Sequence, residues 1–164
     1  MPMHQGVVVA IDSWNVCDAT QGLNIESTEY SSWNKINFNI LYVKTKKLIQ
    51  SNKLNNYCTL VRSTAQEALN LFSDESIDFL HFDGSFQENC AYADLVAYLP
   101  KLKNGGYVLL SNSNRLSSGK ALVFLLERTN LISAFTEQKE YVLFQRDKER
   151  EKNSEKLFKD YYVH

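Results

Sequence analysis

The chain has 164 residues, with 18 Lys and Arg against 19 Asp and Glu; this is enough for one domain with a core, and a net charge of −1 gives no overall field to draw in nucleic acid or an anionic membrane. Three cysteines, Cys17, Cys58 and Cys90, form an odd set without paired spacing, which suggests neither a disulfide framework nor a zinc site and fits free thiols in a reducing cytoplasm. No charged leader precedes an apolar stretch and no run approaches the roughly 20 apolar residues of a membrane span, so a soluble cytoplasmic protein without a membrane or nucleic-acid partner is expected.

Gly6 to Ile11 is a β-branched run that predicts a buried strand ending on Asp12. Asp12 to Tyr30 is polar, carries one glycine and has no clear period, so it reads as a long excursion of the kind that covers a ligand site. From Ser31 to Asn52 the positions Trp33, Ile36, Ile40, Val43 and Leu48 fall near one side of a helical wheel, which predicts a single helix with Trp33 in the core. Cys58 to Arg62 reads as a second strand. Ser63 or Thr64 then caps a helix that runs to about Phe72, with Gln66 or Glu67 three residues after the cap.

Ile77 to Gly84, Ile-Asp-Phe-Leu-His-Phe-Asp-Gly, reads as a strand apolar on both faces, ending on Asp83 and a glycine that lets the chain turn sharply. Such a strand needs cover on both sides, which implies a mostly parallel sheet sandwiched by helices, and ligands of such sheets bind at the carboxyl ends of the strands. His81, inside that strand, is expected to be a hydrogen-bonded core histidine. Phe86 to Leu99 reads as a helix with Ala91, Leu95 and Tyr98 or Leu99 on its inner stripe, stopped by Pro100. Asn104-Gly105-Gly106 is a turn into a strand over Tyr107 to Leu110, and Ser117 or Ser118 caps a helix that points Leu122, Leu125 and Leu126 inward. Ile132 to Thr136 and Tyr141 to Arg146 form an antiparallel pair, closing an α/β domain over residues 1–146. Residues 147–164 are a charged tail expected to be a solvated helix, with Leu157, Phe158, Tyr161 and Tyr162 on one sparse apolar side and Glu155 and Lys159 at helical spacing. His4 and His164 lie too near the termini to be nominated for a site.

Three stretches, Val-Val-Val-Ala-Ile-Asp-Ser-Trp at 7–14, Ile-Asp-Phe-Leu-His-Phe-Asp-Gly-Ser at 77–85 and Leu-Pro-Lys-Leu-Lys-Asn-Gly-Gly-Tyr-Val-Leu-Leu at 99–110, resemble by order and spacing the class I S-adenosylmethionine-dependent methyltransferases, in their small-molecule and sugar O-methyltransferase-like branch. The resemblance implies a sheet of order 3-2-1-4-5-7-6 with the seventh strand antiparallel, in which Val7 to Ile11 is the second strand. It implies that Asp12 accepts hydrogen bonds from the cofactor's ribose, that Trp14 flanks the adenosine, that Ser63 and Thr64 meet the adenine, and that Asp83 with Gly84 lies near the methyl donor. Asp83 is the candidate catalytic residue, and a base is needed only where the acceptor must lose a proton.

The sequence departs from that family in two places. No counterpart precedes Val7 for the first strand and its Gly-rich loop, so the second and fourth strands are expected either to pair directly, to receive a strand from another chain, or to belong to a longer protein. An open edge in mid-sheet makes a homo-oligomer or a donated strand a reasonable expectation. The second departure concerns metal: Ser111-Asn112 stands where metal-dependent members place an Asp-Asn pair, and Phe86 where related sequences often carry histidine, so no metal site is expected and Asp83 with Asn112 is a thin oxygen set. Two functions follow as expectations. One is transfer of a methyl group from S-adenosylmethionine to an oxygen or nitrogen of a small molecule. The alternative is a shortened, inactive module that self-associates or binds a partner.

Overall fold

In the computed structural model, residues 6–135 and 140–162 are described, the side chains as far as 156. The chain divides into two compact units, Met1–Asn70 and Leu71–His164. No described helix is long and apolar enough to cross a membrane.

The first unit holds strand β1 (Val8–Asp12), helices α1 (Val16–Thr20), α2 (Thr28–Asn34) and α3 (Phe38–Ser51), strand β2 (Cys58–Arg62) and helix α4 (Ala65–Ala68). β1 and β2 pair in parallel with Asp12 opposite Arg62, so both strands deliver a charged residue to the same sheet end. The helix expected over Ser31–Asn52 is broken at Lys35–Asn37. The Asn37 side chain accepts from Ile40 N at 3.1 Å and starts α3 afresh, a local side-chain bond that competes with helix continuation. Trp33 is half-buried, stacked against Phe38 at 6.3 Å, rather than inside a core. The helix expected to reach Phe72 ends at Ala68, followed by a 3₁₀ turn over Leu69–Leu71. The strand expected to be buried is not: Val8 is 59% exposed, and Phe38 and Ala68 alone among the described apolar residues of this unit are buried.

The second unit contains β3 (Ile77–Phe82), α5 (Glu88–Tyr98), β4 (Leu102–Ser111), α6 (Gly119–Arg128), β5 (Thr129–Phe135), β6 (Tyr141–Arg146) and α7 (Lys148–Tyr162). Its sheet has the order β3-β4-β6-β5, with β3 parallel to β4 and β6 antiparallel to both its neighbours. Within each unit the strand neighbours are the expected ones, the second beside the third in one and the fourth, fifth, seventh and sixth in that order in the other. β1 pairs with β2, and β3 with β4.

The core lies on one face of this sheet, where Phe82, Val108, Leu110 and Phe144 meet Ala91, Leu95 and Leu99 at the α5 end and Ala121, Phe124 and Leu125 of α6. Leu95 and Leu125 are fully buried, so cutting either to alanine should cost about 2–5 kcal/mol. Leu126, expected to point inward, is 40% exposed, because Phe124 occupies the inner stripe instead. The opposite face of β3 is open. Phe79 is 53% exposed and His81 is exposed rather than in a core, since the alternation of a strand sends both to the side away from α5 and α6. Asn104–Gly106 does not precede the strand but lies within it, where Gly105 takes a φ of 78° and the β3–β4 register shifts between Ile77 and Phe79.

Two of the expected local signals act differently. Ser118 precedes α6 but makes no capping bond; its hydroxyl donates to Asn112 O at 2.9 Å. Gly84 has no positive φ, so it is not needed for a sharp turn. A Cβ there would run into the Phe82 ring, and the glycine is a close-approach residue. Residues 147–164, set apart in the sequence as a charged tail, supply α7, which is bonded into this unit through Arg146–Glu151 and through Arg150 to Leu126 O at 2.8 Å. The side chains of Leu157, Phe158, Lys159, Tyr161 and Tyr162, together with His4, Thr136 and His164, lie outside the described residues.

Candidate functional site

In the first unit the site grows from the end of β1. Asp12 Oδ1 accepts from Trp14 N at 2.5 Å, and this short side-chain turn holds Trp14 at a φ of 51°, a left-handed conformation costly for a bulky residue. The Asp12 carboxylate is exposed, and its second oxygen has no partner among the described residues. Trp14 turns its ring edge-on to Tyr42, 5.5 Å between centroids, and its Nε1 is buried without a hydrogen bond among the described residues. One residue therefore carries both a strained backbone and an unsatisfied donor, and such costs concentrate where a ligand is handled.

Arg62, at the end of β2, ties this corner together. Its Nη2 donates to Asn39 Oδ1 at 2.6 Å and to Trp14 O at 3.3 Å, and its guanidinium lies 5.4 Å from the Tyr42 ring centre. Trp14, Lys35, Asn37, Phe38, Asn39 and Arg62 line a cavity of about 420 Å³ with Asn15 and its neighbours. Sequence reasoning nominated Asp12 and Trp14 but missed Arg62, Lys35 and Asn39. The signal for Arg62 was available, since the rule that ligands gather at carboxyl strand ends applies to β2 as much as to β1.

Ser63 and Thr64 follow Arg62, and both hydroxyls are committed to Glu67. Ser63 Oγ donates to Oε2 at 3.1 Å, Thr64 Oγ1 and Thr64 N donate to it at 3.0 Å, and Glu67 N returns a bond to Thr64 Oγ1 at 3.3 Å. This capping box holds the Glu67 carboxyl below its usual value, chiefly through the Thr64 backbone donor. The nominated pair thus builds the wall of the loop after β2, with its side-chain donors already in use.

In the second unit Asp83 and Asn112 follow adjacent parallel strands and meet: Asn112 Nδ2 donates to Asp83 Oδ1 at 2.7 Å, from a backbone held at a φ of 54°. Asp83 Oδ2 has no partner among the described residues. His81 Nε2 lies 2.7 Å from Ser111 Oγ, and the Arg115 guanidinium sits 4.7 Å from the centre of the Phe86 ring. A cleft of about 10 Å³, room for roughly one water, is bordered by Gly84, Phe86, Ser111, Asn112 and Arg115. No group of three His, Cys, Asp or Glu side chains able to hold a metal occurs among the described residues.

A family model described as a methyltransferase domain matches residues 2–113. No curated protein sequence matches the chain. Among solved structures, a methyltransferase from Geobacter sulfurreducens is similar with a TM-score of 0.51 at 15% identity, over 86% of this chain and 58% of that one. An rRNA methylase from Streptococcus thermophilus aligns with a TM-score of 0.53 at 9% identity, over 87% and 88%. A Streptococcus mutans structure in complex with SAH aligns with a TM-score of 0.52 at 13% identity, over 87% and 90%. Identities this low carry the fold and not the reaction. The chain spans less than two thirds of the Geobacter protein.

Proposed function

The chain belongs to the methyltransferase-domain family, and from that premise we propose that it is an S-adenosylmethionine-dependent domain which transfers a methyl group to an oxygen or nitrogen of a small molecule. The observation that carries the reading is the Asp12 carboxylate. It stands at a strand end with one oxygen held by Trp14 N and the other open, so it can accept a ribose hydroxyl without first breaking a bond. A pre-oriented carboxylate loses less freedom on binding than a mobile one.

The residues fit the cofactor in part. Asp12 would hold the ribose and Trp14 would flank the adenosine, while Ser63 and Thr64 would offer a wall rather than side-chain hydrogen bonds. When bound, S-adenosylmethionine supplies an electrophilic sulfonium methyl. Asp83, steadied by the Asn112 amide, then has one free oxygen with which to orient an acceptor hydroxyl or amine and take its proton. Gly84 lets the backbone after Asp83 approach the Phe82 ring, where a Cβ would collide. Positioning supplies most of the catalysis in this scheme, since the displacement asks little covalent chemistry of the protein.

The Streptococcus thermophilus neighbour is named as an rRNA methylase, and rRNA is the competing class of acceptor. A net charge of −1 favours the small molecule, because phosphate contacts dominate nucleic-acid affinity. The free thiols of Cys17, Cys58 and Cys90 support a reducing compartment such as the cytoplasm. Isothermal titration with S-adenosylhomocysteine tests the reading: saturable binding that Asp12→Ala weakens at least tenfold is expected. No binding by the intact protein would overturn it, and unchanged binding in the variant would remove Asp12 from the site.

A further inference from the structure

We propose that the cavity lined by Lys35 and Arg62 binds an anionic group, a phosphate or a carboxylate carried by a small molecule.

Two full positive charges line this cavity and no Asp or Glu does. Neither Lys35 nor Arg62 has a carboxylate partner among the described residues. Arg62 uses only Nη2, on Asn39 and Trp14, which leaves Nε and Nη1 as separate donors. The same bonds and the Tyr42 ring hold the guanidinium in place, so little side-chain entropy remains to be lost on binding.

The neutral donors point to the same ligand. Asn15 Oδ1 accepts from Cys17 N at 2.9 Å and Asn37 Oδ1 accepts from Ile40 N at 3.1 Å, so capping consumes the oxygens of two lining amides and leaves their NH₂ groups to donate. Asn37 also brings the positive end of the 14-residue α3 to the rim. A donor-rich, carboxylate-free cavity of about 420 Å³ is of small-molecule size.

The test uses the full chain at fixed ionic strength, with inorganic phosphate and acetate as separate probes followed by amide chemical shifts. Saturable shifts centred on Lys35, Asn37 and Arg62 are expected, weakened at least fivefold by Lys35→Ala and by Arg62→Gln. The Lys35 side chain makes no hydrogen bond or ion pair among the described residues, so its variant decides the matter if Arg62→Gln disturbs the fold. The stronger of the two probes identifies phosphate or carboxylate as the group recognised. Absence of saturation with both, or equal binding by the Lys35 variant, would overturn the proposal. So would a short single-stranded RNA that binds far more tightly than phosphate and loses affinity in the same variants, since the site would then serve nucleic acid. Failure to bind S-adenosylhomocysteine alongside intact phosphate binding would instead sink the methyltransferase reading and leave the anion site standing.

Discussion

Arg146 and Glu151 form a two-point ion pair, with Nε donating to Oε1 at 2.7 Å and Nη2 to Oε2 at 3.1 Å, while Arg146 Nη1 donates to the carbonyls of Pro100 and Leu102. The Arg146 side chain is only 6% exposed, so it depends on these partners to offset its desolvation. Glu151→Ala leaves a buried guanidinium without its counter-charge and should cost about 3 kcal/mol in urea unfolding. Glu149→Ala, which removes only the exposed pair with Lys152, should stay within about 0.5 kcal/mol and serves as the control.

Gly84 and the Phe82 ring cannot both keep their places if a methyl is added. Gly84→Ala should destabilise the protein by about 1–3 kcal/mol. Adding Phe82→Leu shortens the ring that obstructs the new Cβ, so the double variant should recover part of that loss. A double variant no better than the sum of the two single ones would place the cost elsewhere.

Asp83 and Asn112 are expected to act on turnover rather than on cofactor affinity. Asp83→Asn should lower kcat at least tenfold while S-adenosylhomocysteine binds as before, because the variant keeps the side-chain shape and loses the charge and the proton acceptor. A variant with full turnover would take Asp83 out of the chemistry.

The Thr64–Glu67 box makes a prediction with a pH sign. Thr64→Ala should lower the melting temperature by about 3 °C near neutral pH. The folded Glu67 carboxyl sits below its ordinary value, so its contribution is complete above that ordinary value and is lost as pH falls through the lowered one. The difference between wild type and Thr64→Ala should therefore narrow in acid, which melting curves at neutral pH and well below pH 4 will reveal.

Much of the architecture was legible in the residues because it rests on local rules. Alternation and β-branching located β1, β2 and β3, the inner stripe Ala91, Leu95, Tyr98 and Leu99 identified α5, and the strand-end rule pointed to Asp12 and Asp83. The capping box was readable from Thr64 and Glu67 alone. What failed was the inference from apolar to buried. Val8 and Phe79 look like core in sequence, yet whether a face is covered depends on which elements the topology brings over it.

By itself, then, the sequence determined the order and type of most elements and the acidic tips of β1 and β3, because these follow from short-range sterics and periodicity. Only the tertiary structure decided the partners. It joined Asn112 to Asp83 across 29 residues, set Arg62 under Asn39 and the Trp14 carbonyl, and drew Glu151 onto a buried arginine. Those pairings arise from strand register and helix placement, which close distances in space that no spacing along the chain records.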